Sequence, residues 1–412
     1  MAKRTVADID VKGKKVFTRC DFNVPLDDNG KITSDDRIVK AMPTMKSILD
    51  RGGALILASH LGRPEGKPDP EFSLKPVAKR LSELLGKQVA FVDSCIGPDA
   101  KAKAAALKPG QALLLENVRF HKEETIKDKS AKEDVALRQA KDAFAKQMAD
   151  MADVYVNDAF GTAHRDNASM YTVPQLMKGK PRVIGFLVEK ELKYLGDALK
   201  NPVRPFVAIL GGAKVSDKIG VIENLLDKVD RILIGGAMAY TFLKAQGKAI
   251  GKSRCEVDFL DKANQLLQLA RGKGREVVLP VDSVATMEIK AGASHKTVGE
   301  NIPDEWLGVD IGPASRKLFA DKIKGAKTIV WNGPMGIFEI EPFDAGTKAV
   351  ALAVAETTDK GANSIIGGGD SASAVQKLGL EARISHISTG GGASLEFLEG
   401  KAFKCIEILD EK

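Results

Sequence analysis

The chain has 412 residues, 44% hydrophobic and 28% charged, with a formal net charge of +7. That is too long for one ordinary core and suits a water-facing protein of two domains. No apolar run approaches the ~18 residues of a membrane-crossing helix, and no secretory apolar stretch opens the chain.

The elements alternate from the start. Short apolar runs are expected as strands at 15–19, 54–59, 89–92, 112–115, 154–157 and 182–187, with amphipathic helices between them such as 74–85 and 134–151. Residues 63–70 hold three prolines and a glycine and read as a loop; the highly charged stretch 121–134 reads as a solvated surface excursion. A helical stretch at 187–199, ended by Asn201, Pro202 and Pro205, is the expected join. The second half repeats the alternation at 206–210, 231–234, 276–279, 328–331, 363–366 and 384–387. Strand–helix alternation with near-continuous apolar strands predicts an α/β protein of two doubly wound, parallel-sheet (Rossmann-like) domains joined by a hinge helix.

Cys20, Cys95, Cys255 and Cys405 are scattered without a CxxC, which fits reduced thiols in a cytoplasm rather than a disulfide frame or zinc site. A total of +7 fits a mildly basic surface first, and also a nucleic-acid binder or a site for small anions. Only the positions of the basic residues decide.

In such sheets ligands bind beyond the carboxyl ends of the strands. There the first half carries Asp21 and Asn23, His60 and Arg63, Asn117 and Arg119, Asn157 and Asp158. Arg37, Arg63, Arg119 and Arg165 offer paired donors to carboxylate or phosphate. Each taken singly fits a surface salt bridge better, and His60 fits a packed histidine. The second half carries glycines at 211–212, 235–236, 333, 367–369 and 390–392, which let backbone N–H groups approach an anion. The same glycines also suit tight turns. Lys214 and Lys218, four apart, are expected to share a helix face and reach one phosphate chain; a solvated face is the plainer alternative. Asp370, beside Ser371, suits a magnesium–phosphate anchor and equally a helix N-cap.

Two near-motifs fail. G-K-A-I-G-K-S at 247–253 is one residue short of a P-loop and follows a helical stretch. His164-Arg165-Asp166 has the opening of a protein-kinase catalytic loop, but Tyr171 stands where that loop carries Asn.

Nine segments give a specific signal when taken together: RCDFNVP at 19–25, SHLGRP at 59–64, ENVRFHKEE at 116–124, NDAFGTAHR at 157–165, GGAKVSDKI at 211–219, GGAMAYTFLKAQG at 235–247, VWNGPMGIFE at 330–339, GGGDSA at 367–372 and STGGGASLEFLEGK at 388–401. In that order they resemble the motifs of the phosphoglycerate kinase family. The resemblance implies reversible in-line phosphoryl transfer between 1,3-bisphosphoglycerate and Mg-ADP, giving 3-phosphoglycerate and Mg-ATP, in glycolysis and gluconeogenesis. It implies a cytoplasmic monomer with no nucleic-acid or membrane partner. It assigns residues 1–186, with 393–412 returning, to a 3-phosphoglycerate domain, and 187–392 to a nucleotide domain.

Residue by residue, it places Asp21, Phe22, Asn23, Arg37, His60, Leu61, Gly62, Arg63, Arg119 and Arg165 at 3-phosphoglycerate. It places Gly212, Lys214, Lys218, Gly236, Gly308, Asn332, Glu339, Gly368, Gly369, Asp370 and Ser371 at the nucleotide. Asp370 is the magnesium ligand it implies. Arg37, Lys214, Lys218, Gly391 and Gly392, with Gly390 beside them, face the transferred group. One departure is Ala237, where the family more often has glycine; it is expected to constrain the backbone slightly. Ser371 stands where threonine is common, and the stretch after His121 is longer than usual.

The chemistry agrees. The nucleophile is already an anion, so no general base is required and catalysis rests on positioning and charge neutralisation. Two domains closing about a hinge are expected to exclude water. A dinucleotide oxidoreductase would need GxGxxG after the first strand, where Asp21-Phe22-Asn23 stands instead. A nucleic-acid binder would want basic and aromatic residues interleaved, and aromatics are only 5%.

Overall fold

The computed structural model describes residues 2–412. Contacts divide the chain into two compact units, Met1–Leu192 with Ala402–Lys412, and Lys193–Lys401. The first cut falls inside the helix Phe186–Lys200 rather than at residue 187. The second falls at Lys401 rather than 392, because the helix Gly392–Leu398 packs on the helix Ile219–Leu226 and Asn224 Nδ2 donates to Leu398 O at 2.6 Å. The last residues join the first unit: Arg4 N–H donates to Asp410 O at 2.9 Å, and Arg182 pairs with Asp410 at 3.0 Å.

The first unit is built on β1 (Lys15–Cys20), β2 (Ala54–Ala58), β3 (Val89–Val92), β4 (Ala112–Leu115), β5 (Val154–Asp158) and β6 (Arg182–Ile184). They form one parallel sheet in the order β3-β4-β2-β1-β5-β6. Every residue of β2, β4 and β5 is buried, as a sheet covered on both faces requires. The helices Asp36–Asp50 and Lys75–Leu85 cover one face, placing Ile38, Met45, Ile48, Val77 and Leu81 against Val16, Leu55, Leu57 and Val156.

The second unit has β7 (Phe206–Leu210), β8 (Arg231–Ile234) and β9 (Glu276–Val278), then β10 (Ser283–Thr286), β11 (His295–Val298) and β12 (Leu307–Ile311), then β13 (Thr328–Asn332), β14 (Asn363–Gly367) and β15 (His386–Ile387). The main sheet runs β15-β14-β13-β7-β8-β9, the doubly wound order with its switch between β7 and β13. The three middle strands form a separate antiparallel sheet, β11-β10-β12, which the sequence patterning does not predict. Its edge strand β11 is largely exposed and polar, so it lacks the apolar run used to find strands. Among the described residues no helix is long and apolar enough to cross a membrane.

The charged stretch after His121 is not a solvated loop. It folds into a 3-10 turn, Lys122–Thr125, and a short helix, Asp128–Glu133, with Glu124 and Asp128 buried. Lys141, also buried, lies 3.5 Å from Asp128 and donates to Asp166 O at 2.7 Å. These charges are buried because they are paired.

Asp158, at the end of β5, caps the helix Phe186–Lys200. Its Oδ1 accepts from Leu187 N at 2.9 Å and Val188 N at 3.3 Å. Burial pushes its carboxyl up to about 7. A group raised in the folded state stabilises most below its unfolded pKa and loses that contribution as pH rises through 7. Asp158→Asn keeps an acceptor and removes the charge. Its stability relative to the parent should therefore improve from pH 5 to pH 8 in paired urea melts. Asp158→Ala also loses the acceptor, so it should be less stable than Asp158→Asn by ~1–2 kcal/mol at any pH, as a lost cap is. A pH-independent difference for the Asn variant would show that the carboxyl titrates normally.

Candidate active site

The order of the first sheet reverses between β1 and β5, and the side chains at that carboxyl edge lock together. Phe22 N donates to Ser59 Oγ at 2.8 Å, and Asn23 Oδ1 accepts from Gly62 N at 2.8 Å. Asn117 Nδ2 donates to Leu61 O at 2.7 Å and Phe72 O at 2.9 Å, while its Oδ1 accepts from Arg119 N at 3.0 Å. Three loops are thus tied by two asparagines. The side chains of Phe22 and Leu61 lie in the core, so only their backbone is open to a ligand.

On this frame sits an excess of positive charge. Arg37 Nη1 pairs with Asp21 Oδ2 at 2.5 Å. Burial pushes the Asp21 carboxyl up, but Arg37, His60 and Arg19 outweigh it and hold it below its ordinary value. Arg119 is buried, donates to Gly62 O at 2.8 Å and has an Nε with no partner. Burial, then Arg19 and Arg165, lowers it to about 10, so it stays cationic at pH 7. Burial holds the His60 ring well below its usual value; Arg19, Arg119 and Arg37 act with burial and Asp21 against it. These couplings bring Asp21, Arg37, His60, Arg119 and Arg165 into one neighbourhood. Arg165 is exposed, its Nε 3.1 Å from His164 Nε2. Arg63 is exposed on the loop after β2 and makes no hydrogen bond or ion pair to the described residues.

Arg19 is the residue that sequence reasoning missed. It is fully buried in β1, and its Nη2 lies 3.3 Å from His60 Nδ1. The available signal was an arginine well inside a central strand, KVFTRC, whose other charge, Lys15, stands at its opening residue.

In the second unit the switch point is lined by backbone. A Cβ on Gly211 would lie 2.1 Å from Pro334 O, and one on Gly236 would lie 2.5 Å from Gly212 N. Gly236 also has φ +68°, so glycine is required there twice over. Gly308, on β12, would meet Tyr240 Oη at 2.0 Å. Ala237 has helical φ −64° and ψ −26°, so the expected constraint does not arise.

Lys214 and Lys218 do not share a helix. The helix begins at Ile219, leaving Lys214 on an exposed loop and Lys218 buried at the cap position. Lys218 Nζ donates to Asn332 Oδ1. The Asn332 Nδ2 is buried with no partner, 3.2 Å from where a Cβ on Gly367 or Gly368 would sit. Asp370 is not a cap either: Gly368 holds that place, and Asp370 stands exposed in the first turn of the helix Gly369–Lys377 with no hydrogen bond. Ser371 Oγ accepts from Gly333 N at 2.7 Å and so ties β13 to that helix. Gly391 has φ +51° and precedes the helix Gly392–Leu398. Glu339 is exposed after β13 and makes no hydrogen bond or ion pair to the described residues.

Among the described residues no group of three His, Cys, Asp or Glu side chains could hold a metal alone. Asp370 offers one free carboxylate. That fits magnesium, which takes one or two carboxylates and completes its shell with water and phosphate.

A family model described as phosphoglycerate kinase matches residues 6–401. The chain is 55% identical over 414 residues to a protein named phosphoglycerate kinase from Thermosipho africanus (strain TCF52B), covering 100% of this chain and 99% of that one. It is 53% identical over 412 residues to the protein of that name from Chlorobium phaeobacteroides (strain BS1), with both chains fully covered. The solved phosphoglycerate kinase of Coxiella burnetii superposes with a TM-score of 0.85 at 44% identity, covering 98% of each chain. That of Pyrococcus horikoshii OT3 gives 0.79 at 32% identity, again covering 98% of each.

Burial lowers the Lys218 amine to about 8, against the pull of Asp217 and Asp370. Reductive 13C-methylation followed by NMR titration should find one lysine near that value in the free protein. Lys218→Met should remove that signal. An ordinary lysine value for the signal that Lys218→Met removes would mean that water reaches the amine.

Proposed function

This chain belongs to the phosphoglycerate kinase family, and from that membership we propose which face holds which substrate. Its function is the phosphoglycerate kinase reaction of glycolysis, the transfer of a phosphoryl group between 1,3-bisphosphoglycerate and ADP. The first unit takes phosphoglycerate and the second takes the nucleotide. The observation that carries this division is the charge of the first face: Arg37, Arg119 and Arg165, with the buried Arg19, outnumber the carboxylates of Asp21 and Glu124 near them. A phosphate and a carboxylate on one small molecule supply the missing negative charge. The second face offers donors of another kind. Lys218, the unpartnered Asn332 Nδ2 and the glycine N–H groups suit a phosphate chain, and family membership, rather than any open space at their Cβ positions, assigns Gly236 and Gly308 to the base.

The reacting oxygen is a carboxylate in one direction and an ADP phosphate in the other, so no side chain has to remove a proton. Arg37 on one ligand and Lys214 and Lys218 on the other neutralise charge as it shifts from donor to acceptor. Asp370 would hold a magnesium ion, which would supply charge neutralisation to the nucleotide phosphates. In-line transfer requires the two bound ligands to meet, so the substrates have to be brought together before reaction.

A coupled assay with 3-phosphoglycerate and Mg-ATP tests the activity, and two variants test the division. Arg63 is exposed and makes no hydrogen bond or ion pair to the described residues, so Arg63→Ala should leave folding intact. Its affinity for 3-phosphoglycerate should fall about tenfold or more, the size of one lost charge-assisted contact. Calorimetric titration with ADP should be unchanged. Equal loss for both ligands would sink the two-face assignment.

Asp370 makes no hydrogen bond and caps no helix, so Asp370→Asn should leave the Tm within about 1 °C of the parent. Activity at limiting magnesium should fall by ten times or more (~1.4 kcal/mol per factor of ten). Undiminished specific activity at low magnesium would place the metal elsewhere.

A further inference from the structure

The buried carboxylate of Glu124, in the charged stretch after β4, takes no part in the roles assigned so far. It is fully buried. Its Oε2 accepts from Ser169 N at 2.8 Å, and its Oε1 accepts from Ser169 Oγ at 2.6 Å and Asn167 Nδ2 at 3.3 Å. Ser169 sits in a π-helical turn, Ala168–Thr172, a wide turn that often marks a functional site. On its other side Ser169 Oγ accepts from Arg19 Nε at 2.8 Å. Arg19 also donates to Cys20 O, and its Nη2 reaches His60 Nδ1 at 3.3 Å.

The direction of each bond follows from the groups. A guanidinium has five donors and no acceptor. Ser169 therefore receives the Arg19 proton and sends its own to Glu124. By the same logic His60 Nδ1 must offer a lone pair, which puts the proton of a neutral ring on Nε2. The ring is neutral at pH 7 because burial, with Arg19, Arg119 and Arg37, outweighs the pull of Asp21. Glu124 also balances the buried Arg19 charge across one hydroxyl, which keeps the guanidinium from turning elsewhere.

We propose that Glu124, acting through Ser169 and Arg19, is a positioning residue that holds the His60 ring with its proton on Nε2, so that the phosphoglycerate face presents an N–H donor there. The proposal rests on the assignment of that face to phosphoglycerate. The same stretch holds the neighbouring loop: Asp128 N donates to Asp166 Oδ2 at 2.9 Å, next to Arg165. The segment is thus a brace for the site rather than a solvated excursion.

Long-range 1H–15N spectra of the full-length protein read the tautomer directly, with His60→Ala identifying the ring. The parent should show an unprotonated Nδ1 and a protonated Nε2. Ser169→Ala and Glu124→Gln should turn this into a mixture of both tautomers. Each should raise the KM for 3-phosphoglycerate about tenfold, the size of one hydrogen bond to a charged group, with kcat and the KM for ATP little changed. A protonated Nδ1 in the parent overturns the proposal even if the variants fail to fold. Folded variants whose His60 signals match the parent overturn it too. If His60→Ala leaves the KM for 3-phosphoglycerate unchanged, the assignment of the face has failed, and the proposal falls with it for a separate reason.

Discussion

A parallel sheet sends every strand end of one polarity to one edge, and where the chain winds off in both directions that edge is left open. Here the openings are at β1/β5 and at β7/β13. Nothing in the helices or the core competes for these two places, because the apolar strands have already bought all the burial they need below the edge. The loops there are free to carry residues that a core would reject. What differs between the two edges is only what the loops carry: cations braced by asparagines in one, bare backbone in the other.

Both edges hold charge at a cost that the surroundings meet in different ways. In the first unit Arg19 lies at the centre of the sheet, where an isolated cation would be expelled. It is kept by a hydroxyl, a carbonyl and, one step further, the Glu124 carboxylate. In the second unit Lys218 has a single amide partner, and its amine is correspondingly less basic. A bound anion would raise its basicity again, since an opposite charge nearby favours the cationic amine. The orphaned Asn332 Nδ2 and Arg119 Nε have the same character: each is a buried donor whose partner is not supplied by the chain.

The sequence carried the strands well wherever burial on both faces gave an unbroken apolar run, as in the ALILA of β2 or the FVAIL of β7. It failed for β10, β11 and β12: β11 is exposed and polar, and the buried SVAT of β10 and LGVDI of β12 are broken by polar residues and a glycine, so none makes such a run. The lysine pair shows another limit. A spacing of four implies a shared face only on a helix, and the helix starts one residue after Lys218. The carboxylate at 370 was open to two readings in sequence, and the cap at Gly368 removes one of them.

What the sequence determined by itself was the alternation of elements, the glycines that crowded backbone demands, and the motif order that identifies the family. Those are local properties, set by period, by Cβ size and by residue identity. Only the tertiary structure decided which polar side chains meet. Arg19, His60, Glu124 and Ser169 lie up to 150 residues apart, on two strand ends, a 3-10 turn and a π-helical turn. No spacing in the sequence encodes their contact. It exists because parallel strands in register bring those ends to one edge, where hydrogen-bond donors and acceptors either find each other or stay buried and unpaired.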